Sequence, residues 1–172
     1  MELWDTAYKN KVIDPSELEN AVRSIRSQGK TIATVNGSFD LMHAGHLTIL
    51  YDASLQADVL IVGLNSDTSI QQYKSPDRPI IPLKYRLQMM TAIAFVDWVT
   101  WFDELDPRRL LNIIKPNVHI NGPEYGENCI EADVVTSNGG KIHIAPFVEG
   151  LSTSSIIKKI NQISQKDSSC VC

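Results

Sequence analysis

The sequence predicts a single α/β domain of the doubly wound type, with a five-stranded, mainly parallel sheet and helices on both faces. Short runs rich in β-branched residues alternate along the chain with amphipathic stretches at helical spacing. Strands that alternate with helices become parallel strands joined by right-handed crossovers. The length of 172 residues suits one domain that buries its own core.

Five apolar runs have the composition and length of short buried strands. Each is bounded by polar or turn-forming residues, as expected for strands covered on both faces. The predicted strands are Thr31–Asn36, Asp58–Leu64, Asp97–Phe102, Asn117–Asn121 and Lys141–Pro146.

Helical patterns fill the intervals between these runs and flank them at both ends. The first helix is predicted after the capping residue Asp14 and stops at Gly29. The last helix begins at a Ser/Thr cluster, residues 152–154, and its lysines agree with the helix dipole. The helices predicted between strands are Gly45–Gln56, Leu83–Phe95 and Asp106–Lys115.

The domain organisation that follows is simple. Residues 1–30 form a helical lead-in, residues 31–163 the Rossmann-like domain, and residues 164–172 a flexible tail. The polar sequence "QKDSSCVC" at the end of the chain favours fraying.

Composition narrows the classes of function. Hydrophobic residues make up 43% and charged residues 21% of the chain, which is ordinary for a globular protein. A net charge of −4 argues against a broad nucleic-acid interface. No apolar run approaches the roughly 20 residues that span a bilayer, and the N-terminus lacks a secretory layout. Cys129, Cys170 and Cys172 do not form a disulfide framework, so we expect free thiols and a cytoplasmic location.

The loop after the first strand is the expected ligand site. Ligands of doubly wound sheets bind outside the carboxyl ends of the strands, where the strand order reverses. Here the sequence reads "NGSFDLMHAGHLTIL". Gly37 permits a sharp turn or close approach, and Gly45 lies where the next helix begins. A helix start beside such a loop favours anions, and His43 and His46 both reach it.

Three interpretations of the histidine pair remain open from spacing alone. Two imidazole donors suit a phosphate that gains negative charge during displacement. Two ordinary structural histidines are also compatible with the pattern. A metal pair needs further ligands, and the sequence places no cysteine nearby.

The segment "NGSFDLMHAGH" resembles the H-x-G-H signature of the cytidylyltransferase-like nucleotidyltransferases, a superfamily related to class I aminoacyl-tRNA synthetases. The similarity continues through "LIVGLNSDTSI", "RPIIPLKYRLQMMTAIAFVDWVTWFDE", "LLNIIKPNVHI" and "LSTSSII" in the expected order. It covers roughly residues 11–160. Within the superfamily, the sequence is most similar to the adenylyltransferase domain of ADP-heptose synthases.

This resemblance implies transfer of AMP from ATP to a sugar 1-phosphate, with release of pyrophosphate and formation of an ADP-sugar for lipopolysaccharide. Mg²⁺ is expected to be held mainly by the phosphates, without direct protein ligands. A homodimer is expected, for which "VDWVTWF" offers aromatic surface. The sugar kinase domain that often precedes this one is absent from the sequence, so phosphorylation is expected on a separate protein.

Two rival functions stay open. A cytidylyltransferase acting on glycerol phosphate or another polyol phosphate would share the histidines and the Ser/Thr turn. The arginine-rich segment usual in that group is missing, and "APFVEG" stands in its place. The second rival is an inactive nucleotide-binding module, since Asn121 and Pro123 replace the lysine and second glycine that are usual in the heptose enzymes.

The resemblance also assigns roles to residues. His43 and His46 are expected to stabilise the α-phosphate in the transition state, and Lys74 to face a phosphate as a third catalytic residue. The expected nucleotide-binding residues are Gly37, Ser38, Phe39, Gly45, Arg86, Asn121, Gly122, Ser152, Thr153 and Ser154. The expected acceptor-binding residues are Asp40, Asn65, Asp67, Arg78, Glu124 and Tyr125.

Several of these residues have an alternative structural role. Asp40 either binds a metal or orients the histidine loop, and Asp67 either caps a turn or meets the acceptor. Arg86 either points to the site or forms a surface ion pair. Residues 152–154 either cap the last helix or hold the β- and γ-phosphates, and both roles are compatible.

Overall fold

The computed structural model describes residues 3–123, 125–126, 129–146, 150 and 152–169, with only the backbone of 166–169. Its centre is one five-stranded sheet in the order β3-β2-β1-β4-β5, in which every neighbouring pair is parallel. The predicted fold class is confirmed. The strands are β1 (Ile32–Gly37), β2 (Val59–Asn65), β3 (Trp98–Phe102), β4 (Val118–Asn121) and β5 (Lys141–Ile144).

The helices connect these strands and cover both faces of the sheet. Short 3₁₀ turns at Tyr8–Lys11 and Pro15–Glu17 link the first two helices. The helices are α1 (Trp4–Ala7), α2 (Leu18–Ser27), α3 (Ala44–Ser54), α4 (Asp67–Tyr73), α5 (Leu83–Thr91), α6 (Arg108–Ile114), α7 (Ala132–Ser137) and α8 (Thr153–Ser169).

Two apolar clusters lie on opposite faces of the sheet. One includes Leu50 of α3 and Met90 of α5, packed on β1, β2 and β4. The other includes Leu18 of α2 and Leu110 of α6, packed on the alternate residues of β1 and β2. This alternation follows from the two-residue period of strands, which sends successive side chains to opposite faces.

The N-terminal segment lies along the β3 edge of the sheet. The backbone N–H of Ile13 donates to the carbonyl of Val99 at 2.8 Å, and Val12 forms an isolated parallel bridge to the same residue. These contacts partly cover the edge strand β3. Leu18 and Val22 of the predicted lead-in are buried in the second cluster. The proposed division at residue 30 stays a prediction, although these residues share a core with the sheet.

Several elements differ from the predictions. Helices α1, α4 and α7 were not predicted. Ser66 starts α4 by accepting the N–H of Ser69 at 3.1 Å. Helix α5 ends at Thr91, well before Phe95, because a turn leads directly into β3. Helix α8 continues to Ser169, through part of the tail predicted to be flexible.

The aromatic stretch expected at a dimer interface is half-buried within the chain. Trp98 packs against the second apolar cluster and Trp101 against the first. The homodimer stays a prediction. Among the described residues, no helix is both long enough and apolar enough to cross a membrane. The Cys129 thiol is free, while Cys170 and Cys172 lie outside the described residues.

Candidate active site

The loop between β1 and α3 has an unusual backbone. Phe39 and Leu41 have φ values of 45° and 50°, in the left-handed region that non-glycine residues rarely adopt. Alternating left- and right-handed residues turn successive N–H groups toward one side and form an anion-binding concavity. A Cβ at Gly37 would lie 3.3 Å from the Phe39 ring, so the glycine gives this buried ring room. The loop therefore has the positive-φ residues that such concavities require.

His43 and His46 lie together at the start of α3. Their rings stack with centroids 4.0 Å apart and planes inclined by 24°. The backbone N–H of His43 donates to Nδ1 of His46 at 3.3 Å. Since Nδ1 accepts this bond, the proton of a neutral His46 ring lies on Nε2, which becomes a donor. The sequence prediction that the two imidazoles lie together is matched by the geometry.

Both imidazoles are held in the neutral form at neutral pH. Burial, with smaller contributions from the charges of His43 and Lys74, lowers the pKa of His46 to about 4 against the opposing effect of Asp40. Burial also lowers the pKa of His43. The pair thus offers N–H donors to an anion without itself being charged.

Asp40 belongs to the same loop, and its side chain is fully buried. Its carboxylate accepts the backbone N–H groups of Ile80 and Ile81 at 2.9 Å each, and Nε of Arg78 at 2.9 Å. Burial alone would raise the pKa of Asp40, but these donors outweigh it and hold the pKa below its ordinary value. These contacts correspond to the loop-orienting alternative, and a role in acceptor binding stays a prediction.

Arg86 is the largest fully buried side chain, at 1% exposure. Its guanidinium donates to the carbonyls of Ser38 and Asn65 at 2.7 and 2.8 Å. It also donates to the carbonyl of Ile81 at 2.9 Å and to the carboxylate of Asp67 at 2.8 Å. The residue therefore connects the ends of β1 and β2 to α5, and is not a surface ion pair. Its direct contact with nucleotide stays a prediction.

Asn65 and Asp67 have protein partners at the end of β2. The side-chain amide of Asn65 donates to Oγ of Ser69 at 3.0 Å. The Asp67 carboxylate accepts the N–H of Leu83 at 2.8 Å, which makes it a cap for α5 in addition to its bond with Arg86. Their expected contacts with the acceptor are not tested by these bonds.

Lys74 reaches the same loop from the end of α4. Its Nζ donates to Oγ of Ser38 at 3.2 Å and lies 5.5 Å from the centroid of the Tyr73 ring. Burial lowers the pKa of Lys74, with Arg78 adding to the effect and Asp40 opposing it.

Tyr73 was not predicted as a site residue. Burial raises the pKa of its phenol, which hydrogen-bonds with Ser38 and faces Tyr125. The sequence feature that could have identified Tyr73 is its position as an aromatic residue next to Lys74 in a polar stretch.

The start of α8 meets the other end of the loop. Oγ1 of Thr153 donates to the carbonyl of Asp40 at 3.0 Å, while Ser152 caps the helix by accepting the N–H of Ser155 at 3.1 Å. A groove of about 520 Å³ lies between Arg78 and the face of α8 that bears Ser154. The groove is also lined by Ile157, Lys158, Asn161, Gln162 and Gln165.

The end of β4 completes this edge of the sheet. Asn121 and Gly122 are buried, and Asn121 extends the strand that pairs with β1. Tyr125 is exposed, and Glu124 lies outside the described residues. Hydrogen bonds thus bring Lys74 and Thr153 to the loop that precedes the two histidines. Asn121 and Gly122 follow at the same edge of the sheet, at the end of the strand that pairs with β1.

The sequence matches known proteins over most of its length. Residues 34–159 match the model of the cytidylyltransferase-like family. The bifunctional protein HldE of Citrobacter koseri is 40% identical over 156 residues, which is 90% of this chain and 33% of that protein. HldE of Marinomonas sp. (strain MWYL1) is 36% identical over 151 residues, or 87% of this chain and 32% of that protein. The chain therefore spans about a third of the length of these curated relatives.

Two solved structures share the fold. The lipopolysaccharide core biosynthesis protein from Thermoplasma volcanium GSS1 has a TM-score of 0.60 and 23% identity, covering 70% of this chain and 100% of that chain. Pantoate-beta-alanine ligase from Francisella tularensis has a TM-score of 0.62 and 19% identity, covering 86% of this chain and 72% of that chain. At these identities the likeness shows the fold alone.

The family match, on a doubly wound sheet with stacked histidines at the start of α3, indicates a nucleotidyltransferase. The chain belongs to the cytidylyltransferase-like family, and it resembles the HldE proteins over most of its length.

Proposed function

We propose that the chain transfers AMP from ATP to a sugar 1-phosphate of the heptose type, forming an ADP-sugar and releasing pyrophosphate. The observation that supports this most directly is the stacked pair of neutral imidazoles beside a backbone anion cradle. The similarity to HldE proteins supports the choice of ATP and of a heptose phosphate.

The proposed chemistry is an in-line displacement at the α-phosphorus. An oxygen of the acceptor phosphate forms the new bond to that phosphorus, and the bond to the bridging oxygen of the leaving pyrophosphate breaks. His43 and His46 would donate N–H bonds to the α-phosphate oxygens as negative charge develops on them. Each neutral ring can donate its N–H hydrogen bond without a change in its own protonation state.

The loop offers separate ends for the two phosphate groups. In-line attack requires the acceptor and the leaving pyrophosphate to lie on opposite sides of the phosphorus. Thr153 and the groove containing Lys158 adjoin the Asp40 end of the loop and suit pyrophosphate. Lys74 and Tyr73 adjoin the Ser38 end and suit the acceptor phosphate.

A divalent metal is expected of nucleotidyltransferases, and we propose Mg²⁺. Among the described residues, no group of three or more His, Cys, Asp or Glu side chains is arranged to hold a metal. The carboxylates of Asp40 and Asp67 already accept N–H donors. The proposed ion would therefore be held by phosphate oxygens, where it would neutralise their charge.

A second candidate is CTP as the nucleotide and a polyol phosphate as the acceptor. The match to the cytidylyltransferase-like family supports it, and the stacked histidines are compatible with either nucleotide. In either case the acceptor is a phosphate monoester, whose oxygen attacks the α-phosphorus.

The experiment is to offer ATP or CTP with a panel of sugar and polyol phosphates and to measure pyrophosphate release. Release with ATP and a heptose 1-phosphate is expected. A strong preference for CTP would instead support the second candidate. Nucleotide binding without pyrophosphate release from any acceptor would contradict both and indicate a binding module.

A further inference from the structure

Three cationic side chains contact the β1–α3 loop, and two of them are paired with carboxylates. Arg78 pairs with Asp40, and Arg86 pairs with Asp67. In the part of the chain that the structure describes, the Lys74 ammonium forms no ion pair with a carboxylate. Its charge is therefore the one that an added anion can pair with at the smallest cost to existing bonds.

The Lys74 ammonium also has hydrogen-bond donors to spare. Its Nζ donates to Oγ of Ser38 at 3.2 Å, and an ammonium carries three N–H donors. Ser38 follows directly on β1, at the carboxyl edge of the sheet where ligands of doubly wound sheets bind. A cation with free donors at this edge suits a phosphate group.

The ring of Tyr73 lies next to this ammonium and does not consume its donors. Nζ of Lys74 lies 5.5 Å from the centroid of the Tyr73 ring, within the range at which the ring quadrupole attracts a cation. A carboxylate in the same place would neutralise the charge and occupy the N–H groups. An aromatic ring holds the ammonium and leaves both available to a ligand.

The backbone at the end of α4 makes this contact possible. Successive residues of a helix do not face each other, so a helical lysine would point away from the preceding tyrosine. Lys74 instead follows the last helical residue and has φ −109° and ψ −81°, outside the helical region. The end of the helix therefore allows two sequence neighbours to meet at the loop.

Tyr73 is not needed to fill the core. Its side chain is 44% exposed, whereas Ile70 of the same helix is 0% exposed and supplies the packing. A large aromatic residue left half-open beside an unpaired cation indicates a role at the ligand edge.

We propose that Tyr73 is a positioning residue for the acceptor: its ring holds the Lys74 ammonium at the Ser38 hydroxyl, where the ammonium binds a phosphate monoester. This inference deepens the proposed function and rests on it for assigning that phosphate to the acceptor. The ring acts on acceptor affinity, and the displacement itself stays with the histidine loop.

The test compares Tyr73→Leu, which removes the ring, with Tyr73→Phe, which keeps it. The full chain is used, and pyrophosphate release with ATP and a heptose 1-phosphate gives kcat and the KM of each substrate. A titration with inorganic phosphate, followed by the NMR signals of the Lys74 side chain, measures anion binding directly. Tm is recorded for every variant.

Tyr85→Leu is the matched control. Nζ of Lys84 lies 5.7 Å from the centroid of the Tyr85 ring on α5, and that ring is 52% exposed. The control therefore removes the same kind of contact between neighbouring residues and should keep the wild-type KM values. A rise in acceptor KM equal to that of Tyr73→Leu would overturn the proposal.

Tyr73→Leu is expected to raise the acceptor KM and weaken phosphate binding about three- to fivefold, the strength of an exposed cation–ring contact. The KM for ATP and kcat should change less than about twofold. Tyr73→Phe should keep the wild-type values. Unchanged acceptor KM and phosphate affinity in Tyr73→Leu would overturn the proposal. Equal losses in both variants would assign the effect to the hydroxyl and also overturn it.

Lys74→Met tests whether Tyr73 acts through the lysine. Loss of the ammonium is expected to raise the acceptor KM about tenfold or more. Adding Tyr73→Leu to this variant should raise it no further, because the ring then has no cation to hold. A further three- to fivefold rise would show that the ring contacts the acceptor directly and would overturn the positioning role.

Failure of the proposed function has a different signature. If the wild-type chain released no pyrophosphate from ATP or CTP with any acceptor, that function would fail, and with it the acceptor role of Tyr73. If the wild type were active and Tyr73→Leu had the wild-type acceptor KM, only the role of Tyr73 would fail.

Discussion

His43 and His46 show how local environment decides what a side chain can do. An imidazole in water is partly protonated near neutral pH, whereas the buried His46 ring stays neutral and presents Nε2–H. A neutral donor stabilises charge that develops during displacement without binding a ground-state anion too tightly. This is the residue-level basis of the proposed reaction.

His46→Ala is expected to lower turnover by about 10²–10³-fold, because it removes one preorganised donor to the transition state. The measurement is pyrophosphate release at saturating substrates, with Tm recorded alongside. His143→Gln, which alters an imidazole paired with Asp52 away from the crevice, should retain activity. Unchanged turnover of a folded His46→Ala variant would rule out the assigned role.

The lowered pKa of His46 also predicts a dependence of stability on pH. The side chain titrates near its ordinary value of 6.5 in the unfolded chain and at about 4 in the folded chain. Between these values the unfolded chain binds the extra proton, so the free energy of unfolding falls as pH falls from 6.5 to 4. Buried His119, whose pKa is also about 4, contributes in the same direction.

His46→Gln should therefore lose less stability than the wild type between pH 7 and pH 5, measured by urea denaturation. Thr48→Ala on the same helix should keep the wild-type difference. Equal losses in the wild type and His46→Gln would show that this imidazole has the same pKa in the folded and unfolded chains.

Among secondary-structure elements, the β1–α3 loop depends on neighbours that are distant in sequence. Arg86 of α5 holds the carbonyl of Ser38, the segment before α5 holds the carboxylate of Asp40, and Thr153 of α8 holds the carbonyl of Asp40. Left-handed residues such as Phe39 persist only where surrounding contacts impose them. The conformation of the β1–α3 loop thus depends on contacts from α5, from the segment before α5 and from α8.

Arg86→Ala is expected to destabilise the chain by about 3–5 kcal/mol, since it removes a fully buried guanidinium and leaves the Asp67 carboxylate and several carbonyls without their donor. Urea denaturation measures the loss, and residual activity below the unfolding transition should also fall. Arg109→Ala, which removes an exposed pair with Glu104, should change stability by less than about 0.5 kcal/mol. Similar losses in both variants would contradict the clamping role.

At the scale of the whole molecule, residues before β1 are part of the structural core. Leu18 is 1% exposed and packs against the α6 side of the sheet, while Val12 and Ile13 cover the edge strand β3. Folding of the sheet and of this segment should therefore be one cooperative event.

Leu18→Ala should lower the free energy of unfolding by about 2–5 kcal/mol, through lost burial and a residual cavity. Leu3→Ala, at a position 75% exposed, is the matched control and should change it by less than about 0.5 kcal/mol. Both are measured by thermal and urea unfolding. A separate early transition for the N-terminal segment, or equal effects of both substitutions, would contradict a shared core.

The sequence by itself determined the order of strands and helices, because apolar periodicity and local punctuation depend on neighbouring residues. It also placed His43 and His46 in one loop at the start of a helix, where chain proximity alone brings them together. Tertiary structure decided which polar residues face the crevice and which hold it together. Arg86 and Asp40 receive their partners from segments dozens of residues away. Such contacts depend on the three-dimensional packing of the sheet, which no local pattern specifies.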